Sequence, residues 1–490
     1  MMQLSHSSWT QAGTVIVVIA TVGLLLSIFF GKKRPANAPP TASIGIPLIG
    51  TYIEFAKNPV NFIDACRKKF GCIYTVNMLH KKLTFLLGPE VSAPFFKLDD
   101  SCMSQPEVYG FMTPVFGKGV VYDAEPKKRT QQYQHMATGL KSKSLRAYIG
   151  KIERECADYA KTWGNSGEID ILEALSELTI LTSSRCLHGD DVRENLFKEV
   201  SALYHDLDKG VTPLSFFFPY APTTAHKMRD NARVEMVKIF SKVIAARRLR
   251  SDTSDNTDIL QVFIDMKYKD GTALSDEEVV GLLIALLFAG QHTSSITSTW
   301  TLMHLVHSKE CMQKVMEEQT KILGDKLFEN DSAADFDLIG EMEYLQNCIK
   351  ESLRMHPPLI MLMRMAMKDI QTTLDGKTYT IPKGDIVVTS PAVASRLDSV
   401  FVRPNEYEPD RFGAERNEQK VPFAFLGFGA GMHQCMGQQF GLLQVKTILS
   451  WLLRRYKFEP VTTAFPEEDY AAMVVGPKNH CRVKYTKIVA

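Results

Sequence analysis

What this chain lacks narrows its identity first. It has no internal repeat and no long low-complexity segment, which excludes a solenoid or a disordered array. It has almost no net charge: 57 Lys and Arg stand against 55 Asp and Glu, a balance of +2 over 490 residues. Nucleic-acid binding needs a basic excess that is absent here. The nine cysteines, at 66, 72, 102, 156, 186, 311, 348, 435 and 481, include no CxxC pair and no zinc spacing. That tells against a zinc ribbon or a disulfide scaffold and fits a reducing compartment. No Lys or Arg occurs before position 32. A cleaved secretory signal needs a basic start, so that absence tells against one.

What stands at the N-terminus is an uncharged, largely apolar run of 19 residues, Ala12 to Phe30. At about 1.5 Å per residue it just spans a hydrocarbon core of roughly 30 Å. Lys32, Lys33 and Arg34 follow at once, so the positive-inside rule leaves the N-terminus outside and the remaining chain cytosolic. Residues 1–31 read as an uncleaved single-pass anchor. Residues 32–47 are proline-rich and read as a stiff linker. Residues 48–490 form the body. Their length allows several domains, but one large mainly helical domain fits as well.

Near the C-terminus stands FLGFGAGMHQCMGQQFG, Phe425 to Gly441. Cys435 sits in a glycine-rich loop that runs into a helix-competent amphipathic segment. A thiolate at a helix start is stabilised by the dipole and by free N–H groups. It could serve as a nucleophile, a redox thiol or a metal ligand. Gly427, Gly429, Gly431 and Gly437 favour the last, because they strip side chains from around the sulfur so that a large flat group can lie against it. A porphyrin is such a group, and an axial thiolate favours O–O bond cleavage on its iron. A lone cysteine is ordinarily a small buried hydrophobe, which is the reading for the other eight.

The loop resembles the haem-binding segment of the cytochrome P-450 superfamily, of pattern FxxGxxxCxG, with Phe428, Gly431, Cys435 and Gly437 in register. The superfamily fold is mainly α with small β-sheets, and the periodicities agree. Cys72 to Met78 and Leu83 to Leu87 read as a hairpin. From Ser142 to Leu305 helical periodicity dominates, interrupted near Pro213, Pro219 and Pro222. SDEE from Ser275 reads as a capping box before a long apolar helix. Strand signals return at Thr378 to Ile381 and Ile386 to Val388. Glu351 and Arg354 share a helix face at i and i+3. Alone they read as an exposed ion pair worth little. With Arg411, from PNEYEPDRF, the resemblance implies a buried charge network supporting the haem loop.

LLIALLFAGQHTSSITSTW, Leu282 to Trp300, resembles the oxygen-activation helix of the superfamily. Gly290 mid-helix costs stability, and a helix hydroxyl such as that of Thr293 can bond back to the preceding turn, giving a kink with room beside the iron. The acid usual before the threonine is replaced by His292. That histidine reads either as a helix-surface or capping residue or as a proton shuttle.

FAGQHTSSIT, YGFMTPVFGKGVVYD (Tyr109 to Asp123), DLDKGVTPLSFFFPYAP (Asp206 to Pro222) and His433 are similar to the sterol 14α-demethylase branch. The resemblance implies haem b on the Cys435 thiolate, Tyr109 and Tyr122 hydrogen-bonded to its propionates, and positive charge from Arg364 and His433. It implies a sterol cavity lined by Phe111, Met112, Phe116, Ala285, Ala289, Leu359, Met361, Met363, Met473 and Val474. Thr293 would hold dioxygen and water, and His292 would pass protons. The basic residue usual in the next helix is missing; Gln131, Gln132, Tyr133 and His135 occupy that region, with Arg129 near.

The implied activity removes a 14α-methyl group by three oxygenations, through alcohol and aldehyde to formate, leaving a 14,15 double bond. Electrons would come from NADPH through a separate flavoprotein reductase, with O2 as co-substrate, at the endoplasmic reticulum membrane. Azole-type haem ligands would inhibit. Phe111 stands where the branch carries phenylalanine in plants and some protozoa and leucine in animals and fungi, which implies a partial preference for C4-monomethyl sterols. The rival readings are a haem-thiolate enzyme acting on fatty acids or xenobiotics, which would lose the Tyr109 to Asp123 stretch, and a catalytically silent haem protein, which would not need Gly290 to Thr293.

Overall fold

The structure is a computed structural model and describes residues 34–42, 49–249, 258–324, 327, 335–416, 418–478 and 481–488. The apolar run read as an anchor lies outside the described residues. The helices that position the site are α1 (Thr113–Phe116), α2 (Ile171–Ser183), α3 (Phe197–Lys209), α4 (Thr224–Arg248), α5 (Asp276–His307), α6 (Glu343–Met355) and α7 (Gln438–Arg455). α5 is the axis of the molecule. Its start follows the sequence reading: the Glu278 N–H donates to Ser275 Oγ at 3.2 Å, and the Ser275 N–H donates to Glu278 Oε2 at 2.9 Å. Length and apolarity alone would let α5 cross a membrane, but it packs against α2, α4, α6 and α7 in the core. A helix apolar all round is buried all round.

The larger sheet is built from β1 (Thr41–Ala42), β2 (Ile73–Met78), β3 (Lys81–Leu86), β4 (Met103–Ser104), β5 (Leu362–Ala366) and β6 (Ile386–Thr389), in the order β1-β2-β3-β6-β5-β4. β2 and β3 form the expected antiparallel hairpin, Ile73 opposite Leu86. Alternation along β5 divides its side chains between two apolar clusters: Met363 and Met365, with Met361 just before the strand, join one, and Leu362 and Ala366 the other. A second hairpin, β7 (Glu467–Asp469) with β8 (Gly476–Lys478), packs beside α5.

Two features depart from the sequence reading. Ser166–Asp170, inside the stretch read as helical, is a strand paired antiparallel with Arg482–Lys487. Its partner comes from the far end of the chain, so no local pattern announces it. The segment read as a stiff linker is partly bound to the body. Arg34 pairs with the buried Asp385 at 2.9 Å, and β1 extends the sheet.

Candidate functional site

Cys435 lies between a tight turn at Gly431–His433 and the start of α7. Its N–H donates to the Phe428 carbonyl at 2.8 Å, which closes the loop around the sulfur. Gly431 takes φ +68°, and a Cβ there would stand 2.0 Å from the Phe96 carbonyl oxygen. Only glycine allows that approach. Surrounding protein desolvates the thiol and pushes its pKa up; the Gly437 N–H, directed at the sulfur, opposes this. Of the nine free cysteines, seven are buried, Cys72 is half-buried and Cys435 is exposed.

The space beside that sulfur is set by α5. The helix is buried from Val279 to Ala285 and again from Ser294 to Leu305, yet Ala289 is exposed and Gly290 to Thr293 are half-buried. A Cβ on Gly290 would meet nothing within 4 Å. This window adjoins the cysteine loop, because a Cβ on Gly441, early in α7, would lie 3.9 Å from Ser294 Oγ. Thr293 Oγ1 donates to the Ala289 carbonyl at 2.6 Å. The helix nevertheless runs unbroken, so the opening comes from small side chains rather than from a break. His292 neither caps nor floats: its Nε2 is 3.0 Å from Asp208 Oδ1 on α3. Sequence reasoning missed Asp208 as a residue, although it lies inside the quoted DLDKG stretch.

A phenolic and cationic patch gathers at one edge. Tyr109 and Tyr122 stack with ring centres 5.3 Å apart. Burial raises both phenols, and the neighbouring Arg364 pulls them down. Arg364 lies over the Phe95 ring, makes one long bond to the Met363 carbonyl at 3.4 Å, and keeps its Nε buried without a partner. Burial lowers its pKa, while Tyr109, Asp100, Tyr122 and Tyr133 hold it up. His433 is not a free charge: Asp100 accepts from His433 Nε2 at 2.9 Å and from Arg129 Nη2 at 3.0 Å. Asp100 gave no sequence signal, standing 333 residues from His433. Gln132 is used structurally, bonding the Val121 N–H and the Gly119 carbonyl.

The expected cavity residues are only partly brought together. Phe111 is buried and meets Phe216 edge-on at 5.6 Å, and Phe116 meets Phe288 at 6.1 Å. Phe216 and Phe288 were not singled out, although they lie inside the quoted DLDKGVTPLSFFFPYAP and FAGQHTSSIT stretches. Met112 sits half-buried in the same turn, and Ala285 is buried one helical turn before Ala289. Met361 and Met363 pack with Tyr109 and Phe216. Met473 and Val474 occupy the turn of the β7–β8 hairpin, half-buried. Leu359 is 45% exposed and joins none of the apolar clusters.

Beneath the loop lies the charge network. Glu351, Arg354 and Arg411 are all fully buried. Arg354 meets Glu351 at 2.7 and 2.9 Å, and Arg411 Nε meets Glu351 Oε1 at 2.9 Å. The weak exposed pair that spacing alone allowed is therefore excluded. The network also includes Glu408 and Glu418 on Arg411, which sequence reasoning did not name. α6 carries it directly under the loop: a Cβ on Gly427 would be 3.0 Å from Leu353 Cβ.

A flat anionic macrocycle fits this arrangement. The open thiol, the glycine-stripped loop, the window in α5 and the orphaned Arg364 Nε beside two phenols match the iron, the faces and the carboxylates of haem.

Comparison with known proteins agrees. A family model described as Cytochrome P-450 matches residues 39–484. The chain is 47% identical to a sterol 14-demethylase of Arabidopsis thaliana, over 99% of this chain and 98% of that protein. It is 45% identical to an obtusifoliol 14-alpha demethylase of Sorghum bicolor, over 97% and 96% respectively. A lanosterol 14-alpha demethylase of Rattus norvegicus is 39% identical over 91% of this chain and 87% of that protein. Among solved structures, a retinoic acid-bound cyanobacterial CYP120A1 shares the fold, with TM-score 0.80 at 20% identity over 93% of this chain and all of that one. With the cysteine loop, its supporting network and the α5 window in place, the chain belongs to the cytochrome P-450 family, and its relatives there include the sterol 14-demethylases.

Proposed function

We propose that the protein is a membrane-anchored sterol 14α-demethylase that draws electrons from NADPH through a flavoprotein reductase. The observation that carries this reading is the exposed Cys435 thiol set against the open window of α5. Haem bound there supplies oxygen activation, with the thiolate donating electron density to iron. Arg364, Tyr109 and Tyr122 would hold its carboxylates, and His433, oriented by Asp100, would be a further donor.

The sterol is recognised mainly by shape, since it offers one hydroxyl to many apolar contacts. Phe111, Phe116, Met361, Met363, Met473 and Val474 would supply the apolar walls around it, and Ala289, in the α5 window, the surface beside the reacting methyl. Ala285 and Met112 would extend this lining, and Leu359, 45% exposed, would reach the sterol only from its solvent side. The substrate methyl is oxidised to alcohol, to aldehyde and finally to formate. Each oxygenation consumes protons. Asp208 is partly open to water and meets His292 Nε2, so a proton taken up at the carboxylate can pass to the imidazole. Thr293, the next residue, presents its hydroxyl at the window and can release its bond to the Ala289 carbonyl to position that proton.

Phe111 narrows the wall where C4 substituents would lie, and the obtusifoliol-named relatives carry a matching substrate in their names. C4-monomethyl sterols are therefore the preferred substrates. Residues 12–30 anchor the chain in the endoplasmic reticulum membrane, and azole-type haem ligands would inhibit.

The test is a titration of the holoenzyme with a 14α-methyl sterol and with a fatty acid. A low-to-high-spin shift with the sterol alone is the expected result. A shift with the fatty acid alone would replace this reading by the fatty-acid one.

A further inference from the structure

Helix α4 turns Arg233 inward, towards α1 and α5. Its Nη2 donates to the Phe116 carbonyl at 3.2 Å, and its Nε is buried with no partner. Phe116 is the last residue of α1, so this carbonyl is one of the acceptors that a helix end leaves open. The same oxygen stands where α5 comes nearest: a Cβ on Gly281 would sit 2.2 Å from it. On the other side, a Cβ on Gly117 would sit 1.8 Å from Arg233 Nη2, and Gly117 takes φ +103°. Two glycines thus clear the ground on which a guanidinium and a helix close on a single peptide group.

That use of an arginine is uneconomical for stability. A guanidinium has five N–H donors, and here one carbonyl and the more distant Glu277 carboxylate only partly offset its desolvation, so its pKa is held down. Arg354, by contrast, reaches Glu351 twice and the carbonyls of Ser395, Pro404 and Glu406. What the Arg233 contact fixes is a direction. The Phe116 ring leaves this clamped peptide to meet Phe288 edge-on at 6.1 Å and Tyr122 at 6.1 Å.

We propose that Arg233 is a positioning residue for the sterol wall: by pinning the Phe116 peptide against Gly281, it sets where the Phe116 ring stands beside α5. The proposal rests on the reading that Phe116 lines the sterol cavity. Without the clamp, α1 is free to shift along α5, and the ring no longer meets the sterol at a fixed distance. Small iron ligands do not touch that wall and do not sense the change.

The test uses full-length holoenzyme in four forms: wild type, Arg233→Met, Arg233→Lys and Phe116→Ala. Each is titrated with obtusifoliol by the spin shift and with imidazole by the ligand-field shift. Arg233→Met is expected to weaken obtusifoliol binding about tenfold and to leave imidazole binding and the reduced carbon-monoxide spectrum unchanged. Arg233→Lys, which keeps a cationic donor, is expected to recover most of that loss. If Arg233→Met matches wild type while Phe116→Ala weakens the sterol, the clamp is refuted and the wall stands. If Phe116→Ala leaves sterol binding unchanged, the wall assignment falls and the proposal with it. Equal loss of sterol and imidazole binding in both Arg233 variants would reduce Arg233 to a folding role and overturn the proposal.

Discussion

Arg354 on α6 and Arg364 on β5 are both buried, and their surroundings differ completely. Arg354 spends its donors on Glu351 and on three backbone carbonyls. Arg364 has one long bond to its neighbour's carbonyl and an orphaned Nε. Buried polar groups in folded proteins are nearly always paired, so an unpaired one requires a reason. For Arg354 the protein is the partner, and the residue is scaffold. For Arg364 the proposed partner is the cofactor's carboxylate. An orphan alone does not make a site, as His188 demonstrates. It is buried with both ring nitrogens unbonded, but it packs against Phe240 and Arg247 in the scaffold, with no open thiol or phenols around it. Arg364 differs because its orphan stands with Tyr109, Tyr122 and Tyr133 at the edge of the open space.

The comparison breaks most completely at Cys435. Cys435→His is expected to abolish the red-shifted Soret band of the reduced carbon-monoxide complex. Survival of that band would move the ligand elsewhere. Next in size is the scaffold side. Arg354→Ala removes one of the two cations on the buried Glu351, leaving only Arg411 to balance it, and is expected to cost about 3–5 kcal/mol, read as loss of folded protein in urea titrations. Arg364→Met sharpens the contrast. It is expected to leave the urea midpoint of the haem-free protein nearly unchanged and to speed haem loss to apomyoglobin about tenfold, because one charge-assisted bond is lost. Equal destabilisation by the two arginine variants would erase the distinction between them.

His188 gives a pH-dependent test. Burial, with Arg247 adding repulsion, holds its pKa down at about 4, against an ordinary value of 6.5. The unfolded chain therefore takes the proton first as pH falls. Stability from this residue is full above pH 6.5 and is lost between about 6.5 and 4, by roughly 3 kcal/mol in total. His188→Gln is expected to flatten the stability profile over that window; an unchanged slope would show that other groups set it. The smallest expected effect is at Phe111. One methyl in an apolar pocket is worth about 1–3 kcal/mol of discrimination, so Phe111→Leu is expected to shift the kcat/KM ratio of obtusifoliol to lanosterol towards lanosterol. A ratio untouched by the change would assign the choice to other wall residues.

The parts legible in sequence were those encoded by neighbours in the chain. The Ser275–Glu278 cap, the β2–β3 hairpin and the Cys435 loop each depend on residues a few positions apart. The Glu351–Arg354 pair was legible in spacing, but its burial was not, since that depends on Arg411, 60 residues on. Asp208 and Asp100 escaped because a carboxylate gains its meaning from a partner 84 or 333 residues away. The Ser166–Asp170 strand and the docking of Arg34 onto Asp385 failed to register for the same reason. Leu359 was carried over by position in a motif, and a loop position does not reveal how exposed the side chain is.

The most direct test of the account is turnover of a sterol labelled in its 14α-methyl carbon. The holoenzyme would be reconstituted with a flavoprotein reductase, NADPH and O2. The account predicts that the label leaves as formate, one for each sterol consumed, and that the product carries a 14,15 double bond. Sterol returned unchanged while a fatty acid offered in the same vessel is hydroxylated would contradict it.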